Sequence, residues 1–331
     1  MRPLVSPKGQ PQRAAPPRPS RGAAGSARRS EAGDHDRGGG REAVAARSVR
    51  ARKGERGRDG ARGVTVRRLA RTIGDGFRCE SAPGLRSVAD AERLADEIAF
   101  SASRLALLEH DPPGLYAEVA AEGDLEERSW LCFLVAYLGP LEHDAPFAEI
   151  QRVRVPWRAA GELRLERPRL GPRTAHDPAR ASRTIDAYRA WAARSGSQAA
   201  AYTGEPGWSA ERRFERVFER LALPGLHRAA RFELLCSLGR LGVYELRAGT
   251  LALGGEDPVT LAAKRVLGIG DRLLLERRAA ELARSCGVGL DALDLALFNW
   301  ERGERARVGV DGDLPVDPGI LAGVRAALEL D

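Results

Sequence analysis

The strongest constraint on the fold lies in residues 221–271, where two short glycine turns each separate two helical patterns. The first turn, Leu223-Pro224-Gly225-Leu226, follows a periodic amphipathic segment and begins another one, which is how proline and glycine connect packed helices. The second turn is Gly268-Ile269-Gly270, and the acidic residues Glu256 and Asp257 lie between the two turns. The stretch therefore predicts two helical hairpins on either side of a carboxylate pair.

A tight glycine turn between helices lets the backbone approach a ligand and exposes the amide groups of the following helix. Anions bind at such positions, and a DNA phosphate is a frequent one. The turns predict a surface that faces DNA, although L-P-G is equally an ordinary helix connection. The residues predicted to contact DNA phosphates are Gly225, His227, Arg228, Arg265, Gly268, Gly270 and Arg272.

Composition favours helices over sheet, because aromatic residues make up only 5% of the chain while Ala, Leu and Arg dominate. Residues 1–65 contain 16 basic and 6 acidic residues and almost no large apolar ones, whereas the remaining chain contains 37 basic and 40 acidic residues. We therefore predict a disordered Arg/Gly/Ala/Pro-rich tail over residues 1–65 and an all-α domain over residues 78–331. The tail is a basic nucleic-acid-binding arm, a tail without a function, or the product of an over-extended translation start.

The cysteines do not follow the spacing of a metal or redox site. Cys79, Cys132, Cys236 and Cys286 are scattered through the sequence without a C-x-x-C pair, so we expect no metal centre and no cofactor. The longest apolar run, residues 131–138, is too short to cross a bilayer. We accordingly expect a cytoplasmic protein without membrane contact.

Helical periodicity and capping residues predict the main helices. Ser87 begins one that ends before Asp111, Asp124 begins a helix that is apolar almost all round, and Ser209 begins the helix before the first hairpin. Trp130 and Tyr137 on the apolar helix are predicted core residues. Further helices are expected at residues 184–193, 272–285, 290–300 and 318–330.

A long irregular region, residues 153–182, interrupts the helical pattern with seven arginines, four prolines and one tryptophan. Loops of this length are frequently functional. Trp157 and Arg173 in this region, together with Gln198 after it, are predicted to line a pocket for a DNA base. The alternatives are a solvated surface loop for the first two residues and a helix cap for Gln198.

Several blocks of this sequence resemble a family of DNA-modifying enzymes. The order of elements is a helix, an L-P-G-h hairpin, a second helix and then an Asp before T-L-A-A-K-R-V. This order is similar to that of the helix-hairpin-helix DNA glycosylase superfamily. More specifically, the sequence resembles the alpha-glutamyl/putrescinyl thymine pyrophosphorylase family, of the clade 3 kind, over roughly residues 78–300. The blocks are W-L-C-F-L-V-A-Y-L-G-P, G-P-R-T-A, G-S-Q-A-A-A-Y, E-R-R-F-E-R-V-F-E-R-L-A-L-P-G, A-A-R-F-E-L-L and T-L-A-A-K-R-V-L-G-I-G-D-R-L-L-L-E-R-R.

The resemblance implies a mostly helical, glycosylase-like fold and a reaction on hypermodified thymine in DNA. In that reaction an amine or amino acid displaces pyrophosphate from the 5-hydroxymethyl group of uracil. Two residues depart from the superfamily pattern: His227 replaces the second glycine of the usual turn, and Ala229 stands where bifunctional glycosylases carry a lysine. Base excision of the lyase type is therefore not expected.

Displacing pyrophosphate requires cations at the leaving group, a base for the incoming ammonium and an extruded nucleotide. Lys264, the only lysine outside residues 1–65, is predicted to contact the leaving group or else to be a surface residue. Asp257 or Glu256 is predicted to accept the amine proton, while Asp257 before Pro258 is equally a predicted helix N-cap. Two other functions stay open, a monofunctional glycosylase and a non-catalytic helix-hairpin-helix DNA-binding protein.

Overall fold

The computed structural model describes residues 74–143, 145–310 and 314–330, all of which belong to one compact unit, Arg68–Asp331. This part of the chain is helical and contains no β-strand, which confirms the prediction of a mostly α protein. The predicted disorder of residues 1–65 lies outside the described residues. Within them, no helix is both long enough and apolar enough to cross a membrane.

Twelve α-helices and one 3-10 helix, Trp157–Glu162, form the described part of the fold. The α-helices are α1 Val88–His110, α2 Leu115–Ala121, α3 Leu125–Leu138, α4 Ala148–Val153, α5 Ala181–Arg194, α6 Gln198–Thr203, α7 Ala210–Arg220, α8 Arg228–Arg240, α9 Pro258–Leu267, α10 Arg272–Ser285, α11 Leu290–Arg302 and α12 Pro318–Ala327.

The three predicted capping residues begin the predicted helices. The Ser87 hydroxyl accepts a hydrogen bond from Asp90 N at 3.2 Å, the Asp124 carboxylate accepts one from Glu126 N at 2.9 Å, and Ser209 accepts one from Arg212 N at 3.2 Å. Each side chain satisfies an amide that has no partner within its own helix. The starts of α1, α3 and α7 are therefore confirmed.

Helix α3 lies at the centre of an aromatic core. Trp130 and Tyr137 are buried, as predicted, and the Trp130 indole donates a hydrogen bond to Val155 O at 2.7 Å. Phe133 stacks on Tyr188 of α5 with 3.9 Å between ring centroids. Because α3 also packs against α2, α6 and α8, its apolar sequence is explained by contacts on most of its circumference.

Helix α8 connects this aromatic core to a second group of helices. It packs against α3 on one side and against α1 and α11 on the other. Helix α1 makes its most extensive contacts with α11 and α12, and α9 packs against α10 and α11. Residues on α8 are therefore positioned to reach both halves of the core.

Both predicted glycine turns connect helices. The α7–α8 turn has Gly225 at φ +79°, and a Cβ atom there would overlap Thr184 Oγ1. The α9–α10 turn has Gly268 in the left-handed conformation at φ +66°, with its amide bonded to Lys264 O at 2.9 Å. In each case glycine meets a backbone or packing requirement that a larger residue would not meet without strain.

The sequence pattern did not indicate the shortest helices. Helices α4 and α6 have six residues each, which is less than two turns and too few to show a helical period. The prediction of an irregular region over residues 153–182 holds only for residues 163–180, because a 3-10 helix precedes that segment and α5 begins at Ala181. Helix α12 ends at Ala327, earlier than the predicted residue 330.

A close backbone contact joins the segment before α1 to the end of α9. Gly84 N donates a hydrogen bond to Val266 O at 2.8 Å, and a Cβ atom on Gly84 would lie 2.6 Å from Gly268 N and would also overlap Arg265 O. These are backbone atoms, so they have little freedom to move aside.

We predict that Gly84→Ala lowers the free energy of unfolding by about 1–3 kcal/mol, because the added methyl group separates the two backbone segments. The matched control is Gly123→Ala, because a Cβ atom at Gly123 would meet no atom within 4 Å. Urea unfolding of the two variants measures the difference. Equal stability of the two variants would contradict the close contact at Gly84.

Burial governs the reactivity of the four thiols, which are unpaired. Burial raises the pKa of Cys132 and of Cys286 to about 12, and it raises those of Cys79 and Cys236 above their ordinary value. We therefore predict that the folded protein reacts slowly with a thiol reagent at mildly alkaline pH, because little reactive thiolate is present. Unfolding in guanidinium should release all four thiols, and rapid reaction of the folded protein would contradict the burial.

Candidate functional site

A network of buried ion pairs includes two residues of α8, the second helix of the first hairpin. It consists of Arg173, Arg228, Glu233, Asp257 and Asp294, which we call the ion-pair network. The Asp294 carboxylate of α11 accepts hydrogen bonds from Arg173 Nη2 at 2.6 Å and from Arg228 Nη2. Arg173 Nε also donates to Glu233 at 2.9 Å, and Arg228 Nε donates to Asp257 at 3.1 Å. The network therefore connects α8, α9 and α11 with the irregular segment 163–180.

Asp257 caps α9, as the sequence predicted. Its carboxylate accepts hydrogen bonds from Val259 N at 3.2 Å, Thr260 N at 3.4 Å and the Thr260 hydroxyl at 2.5 Å, in addition to the one from Arg228. These four donors occupy most of the acceptor positions of the two oxygens. The carboxylate therefore stabilises the start of α9 and joins that helix to the first hairpin.

The backbone between α8 and α9 is fixed by two side chains. The Glu276 carboxylate of α10 accepts hydrogen bonds from Leu251 N at 2.9 Å and from Leu253 N, while Arg228 Nη1 donates to Leu251 O at 2.6 Å. Burial raises the pKa of Glu276, and the two amides oppose that effect. Ala252 between these residues has φ +53°, which is uncommon for a residue with a Cβ atom.

A surface groove of about 750 Å³ lies between the two helices of the first hairpin and the start of α10. We call it the hairpin groove. It has a size typical of small-molecule sites and contains cations, carboxylates, hydroxyls and two phenylalanines. Its lining residues are Ser209, Glu211, Arg212, Phe214, Glu215, Phe218, Glu219, Ala222, Arg231, Gly249, Thr250, Ala252 and Arg272.

Three members of the ion-pair network, Arg173, Glu233 and Asp294, also line a small, partly open pocket of about 30 Å³. Three buried polar atoms in its lining residues have no hydrogen-bond partner among the described residues: Tyr116 OH, Arg173 Nη1 and Glu233 Oε1. Burial raises the pKa of Glu233, against the opposing charge of Arg173. The volume of this pocket is sufficient for one or two water molecules, and it is too small for a base or an amino acid.

The structure separates the predicted phosphate-contacting residues into exposed and buried ones. His227 is an exposed N-cap of α8 whose side chain caps nothing, and Arg272 is exposed in the hairpin groove. Gly268 and Gly270 are exposed at the second turn, Gly225 is partly exposed at the first, and one side of Gly268 lies close to Gly84. Arg265 donates a hydrogen bond to Glu301 at 2.8 Å and lies over the Trp300 ring.

Arg228 does not fit the predicted phosphate contact. Its side chain is 7% exposed, and its guanidinium donates hydrogen bonds to Asp257, to Asp294 and to Leu251 O. A guanidinium with these partners has no accessible donor for DNA. We therefore assign Arg228 to the ion-pair network instead.

The predicted base-pocket residues do not form one pocket. Trp157 lines a separate groove that contains five carboxylates, an environment that repels nucleic-acid phosphates. Gln198 is fully buried, donates hydrogen bonds to Glu126 and accepts one from Tyr188. Arg173 is buried in the ion-pair network. None of the three offers an open hydrogen-bonding edge to a base, because their polar groups are buried or surrounded by acid.

The predicted catalytic residues lie at the surface or close to it. Glu256 is exposed and makes no hydrogen bond with a described residue, while Asp257 is partly exposed. Lys264 is half-buried on α9 and forms no ion pair within the described ranges. Glu256 is thus the freer of the two adjacent carboxylates. In the described part of the chain, no group of three or more His, Cys, Asp and Glu side chains is arranged to bind a metal ion.

Several residues of this region were not predicted from the sequence. Asp294 and Glu233 are single carboxylates within the otherwise apolar runs L-D-A-L-D-L-A-L-F and F-E-L-L-C. An acidic residue at a core position of an amphipathic helix needs a buried partner, and this signal was present in the sequence. Glu276 and Arg231 gave no such signal, because the charged residues around them resemble an exposed helix face.

Comparison with known proteins identifies no relative. No protein-family model, no curated protein and no solved structure matches this chain.

We predict that Asp294→Asn lowers the free energy of unfolding by about 3–5 kcal/mol, because two buried arginines lose the charge that they share. The control is Asp186→Asn, whose carboxylate is 69% exposed and lies 3.7 Å from Arg189. Such a surface pair contributes at most about 1 kcal/mol. Denaturant unfolding of both variants tests this, and a small effect at Asp294 would contradict the role given to the network.

Proposed function

We propose that this protein is a DNA base-modifying enzyme that displaces pyrophosphate from pyrophosphorylated 5-hydroxymethyluracil in DNA with an amine or amino acid. The observation that carries the proposal is the 3.1 Å hydrogen bond between Arg228 and Asp257. It joins the second helix of the L-P-G hairpin to the carboxylate that follows it 29 residues later. The hairpin and the carboxylate that define the sequence resemblance are therefore neighbours in space.

The surface of the first hairpin supports contact with DNA. The His227 side chain leaves the start of α8 uncapped, and the amides of residues 228–230 donate to no acceptor among the described residues. Gly225 at φ +79° lets the chain turn tightly just before these amides. Unpaired amides at the start of a helix attract phosphate oxygens, and the exposed Arg272 adds positive charge to the adjacent groove.

The exposed residues also suit the proposed reaction. The amine nitrogen forms a bond to the methylene carbon as the carbon–oxygen bond to pyrophosphate breaks, and the ammonium loses one proton. Glu256 is exposed and free to accept that proton. Asp257 is bound by four donors, which suits it to a fixed negative charge near the reacting base rather than to proton transfer.

The second candidate is a non-catalytic helix-hairpin-helix DNA-binding protein. The observation that favours it is the cap at Asp257, because a carboxylate engaged in this way is fully explained by the stability of α9. Both functions require DNA binding, and only the first requires a chemical change of the base.

A direct test is incubation of the full-length protein with DNA that contains 5-hydroxymethyluracil or its pyrophosphorylated form, together with a panel of amines. Nucleoside mass spectrometry would detect an amine adduct, and an enzymatic assay would detect released pyrophosphate. Adduct and pyrophosphate together establish the transferase. A free base with an abasic site would indicate a glycosylase, and unchanged but bound DNA would indicate the non-catalytic protein.

We predict that Glu256→Gln lowers the rate of adduct formation by about 10²–10⁴-fold, as expected for loss of a general base. Asp257→Asn is the matched variant, because asparagine caps a helix as well as aspartate does. It should retain the fold and DNA binding but lose the fixed charge. Full activity in both variants would exclude the carboxylate pair from the chemistry, and circular dichroism would verify that each variant is folded.

A further inference from the structure

Arg231 is a half-buried cation that has no carboxylate partner among the described residues. Its Nη1 donates a hydrogen bond to Phe218 O at 3.0 Å, its guanidinium lies 4.3 Å from the Phe218 ring centroid, and its Nε is buried without a partner. Burial lowers the pKa of Arg231, and the charge of Arg228 lowers it further. Its charge is therefore costly in the absence of an anion.

Several other arginines whose side chains are largely buried have their charge neutralised by carboxylates. Arg173, Arg213, Arg228 and Arg240 are mostly or fully buried, and each of them forms an ion pair with at least one carboxylate. Arg231 differs from them because it lines the hairpin groove. An unneutralised guanidinium at the wall of an open groove indicates that the neutralising group comes from outside the chain.

The remaining groove residues suit an oxyanion. Arg212 and Arg272 are exposed at the groove and form no ion pair with a described residue. Ser209 and Thr250 contribute hydroxyl groups to the lining. Three glutamates also line it: Glu211 pairs with Arg247, and Glu219 pairs with Arg216 at 3.0 Å. Glu215 is exposed and forms no ion pair with a described residue, so the three groove arginines face one unpaired carboxylate.

The backbone of the groove adds a further donor. Ala252 lines the groove, and its amide has no partner among the described residues. On either side of Ala252, the amides of Leu251 and Leu253 donate hydrogen bonds to Glu276, and Leu251 O accepts one from Arg228. These hydrogen bonds stabilise the uncommon backbone conformation of Ala252. Fixed backbone amides close to arginines are a recurrent arrangement for binding phosphate.

We propose that the hairpin groove binds a phosphoryl group through Arg231, with Arg212 and Arg272 as additional contacts. Two sources supply this chemistry, a phosphate of the DNA backbone and the pyrophosphate that leaves the modified base. Assignment of the pyrophosphate rests on the proposed function, whereas the anion site itself does not.

The test uses full-length protein and two titrations by calorimetry, one with inorganic pyrophosphate and one with unmodified duplex DNA. The variants are Arg231→Met, which retains side-chain volume without the charge, and Arg272→Gln. The control is Arg277→Gln, because Arg277 is 76% exposed, pairs with Glu281 and lies outside the groove. We expect Arg231→Met to weaken binding by about tenfold or more, as for a lost charge-assisted contact, and the control to change it little.

The two titrations distinguish the sources. Loss of pyrophosphate affinity identifies the leaving group as the ligand, and loss of DNA affinity alone identifies a backbone phosphate. If the wild-type protein binds neither, or if Arg231→Met binds both as the wild type does, the proposal is wrong. If Arg231→Met forms the amine adduct as the wild type does, the groove takes no part in the reaction. That result would leave the proposed function intact.

A second readout separates ligand binding from a structural role. Without ligand, Arg231→Met should unfold at the same temperature as the wild type or at a higher one, because the variant removes a cation that lacks a carboxylate partner within the described residues. Arg173→Met should unfold at a lower temperature, since Arg173 has two carboxylate partners. A large loss of thermal stability in Arg231→Met would overturn the assignment of this residue to binding.

Discussion

The carboxylate of Asp294 between two arginines is the interaction on which the described fold depends most. Its side chain is 2% exposed, so neither its charge nor those of Arg173 and Arg228 are stabilised by water. Each group is tolerable only while the others are present. This mutual requirement holds the irregular segment 163–180, which contains no helix, against α8 and α11.

Different side chains of helix α8 contribute to stability and to the proposed binding site. Arg228 and Glu233 extend into the ion-pair network, whereas Arg231, three residues after Arg228, lines the hairpin groove. The inward residues are matched by charges from the chain itself. Arg231 in the groove has no such partner among the described residues. Stability and the proposed binding therefore depend on different side chains of one short helix.

The sequence predicted the mostly helical class and most of the long helices, because these helices carry local signals. Ser87, Asp124 and Ser209 cap helices through contacts only two or three residues away, and such contacts are visible in the sequence. The site was less predictable, because its geometry depends on distant pairs. Asp294 meets Arg173 across 121 positions of the chain, and no local pattern reveals that Arg173 is buried rather than free to contact a base.

The segment before α1 connects distant parts of the described fold. Asp75 accepts a hydrogen bond from Val88 N at 2.8 Å, Glu80 N donates to the Glu329 carboxylate, and Gly84 contacts the end of α9. Although it contains no helix, this segment joins the first helix, the α9–α10 turn and the carboxyl-terminal region. A fragment that started at α1 would retain the twelve α-helices but lose the main-chain contacts that connect them here. Truncation should therefore stop upstream of Asp75.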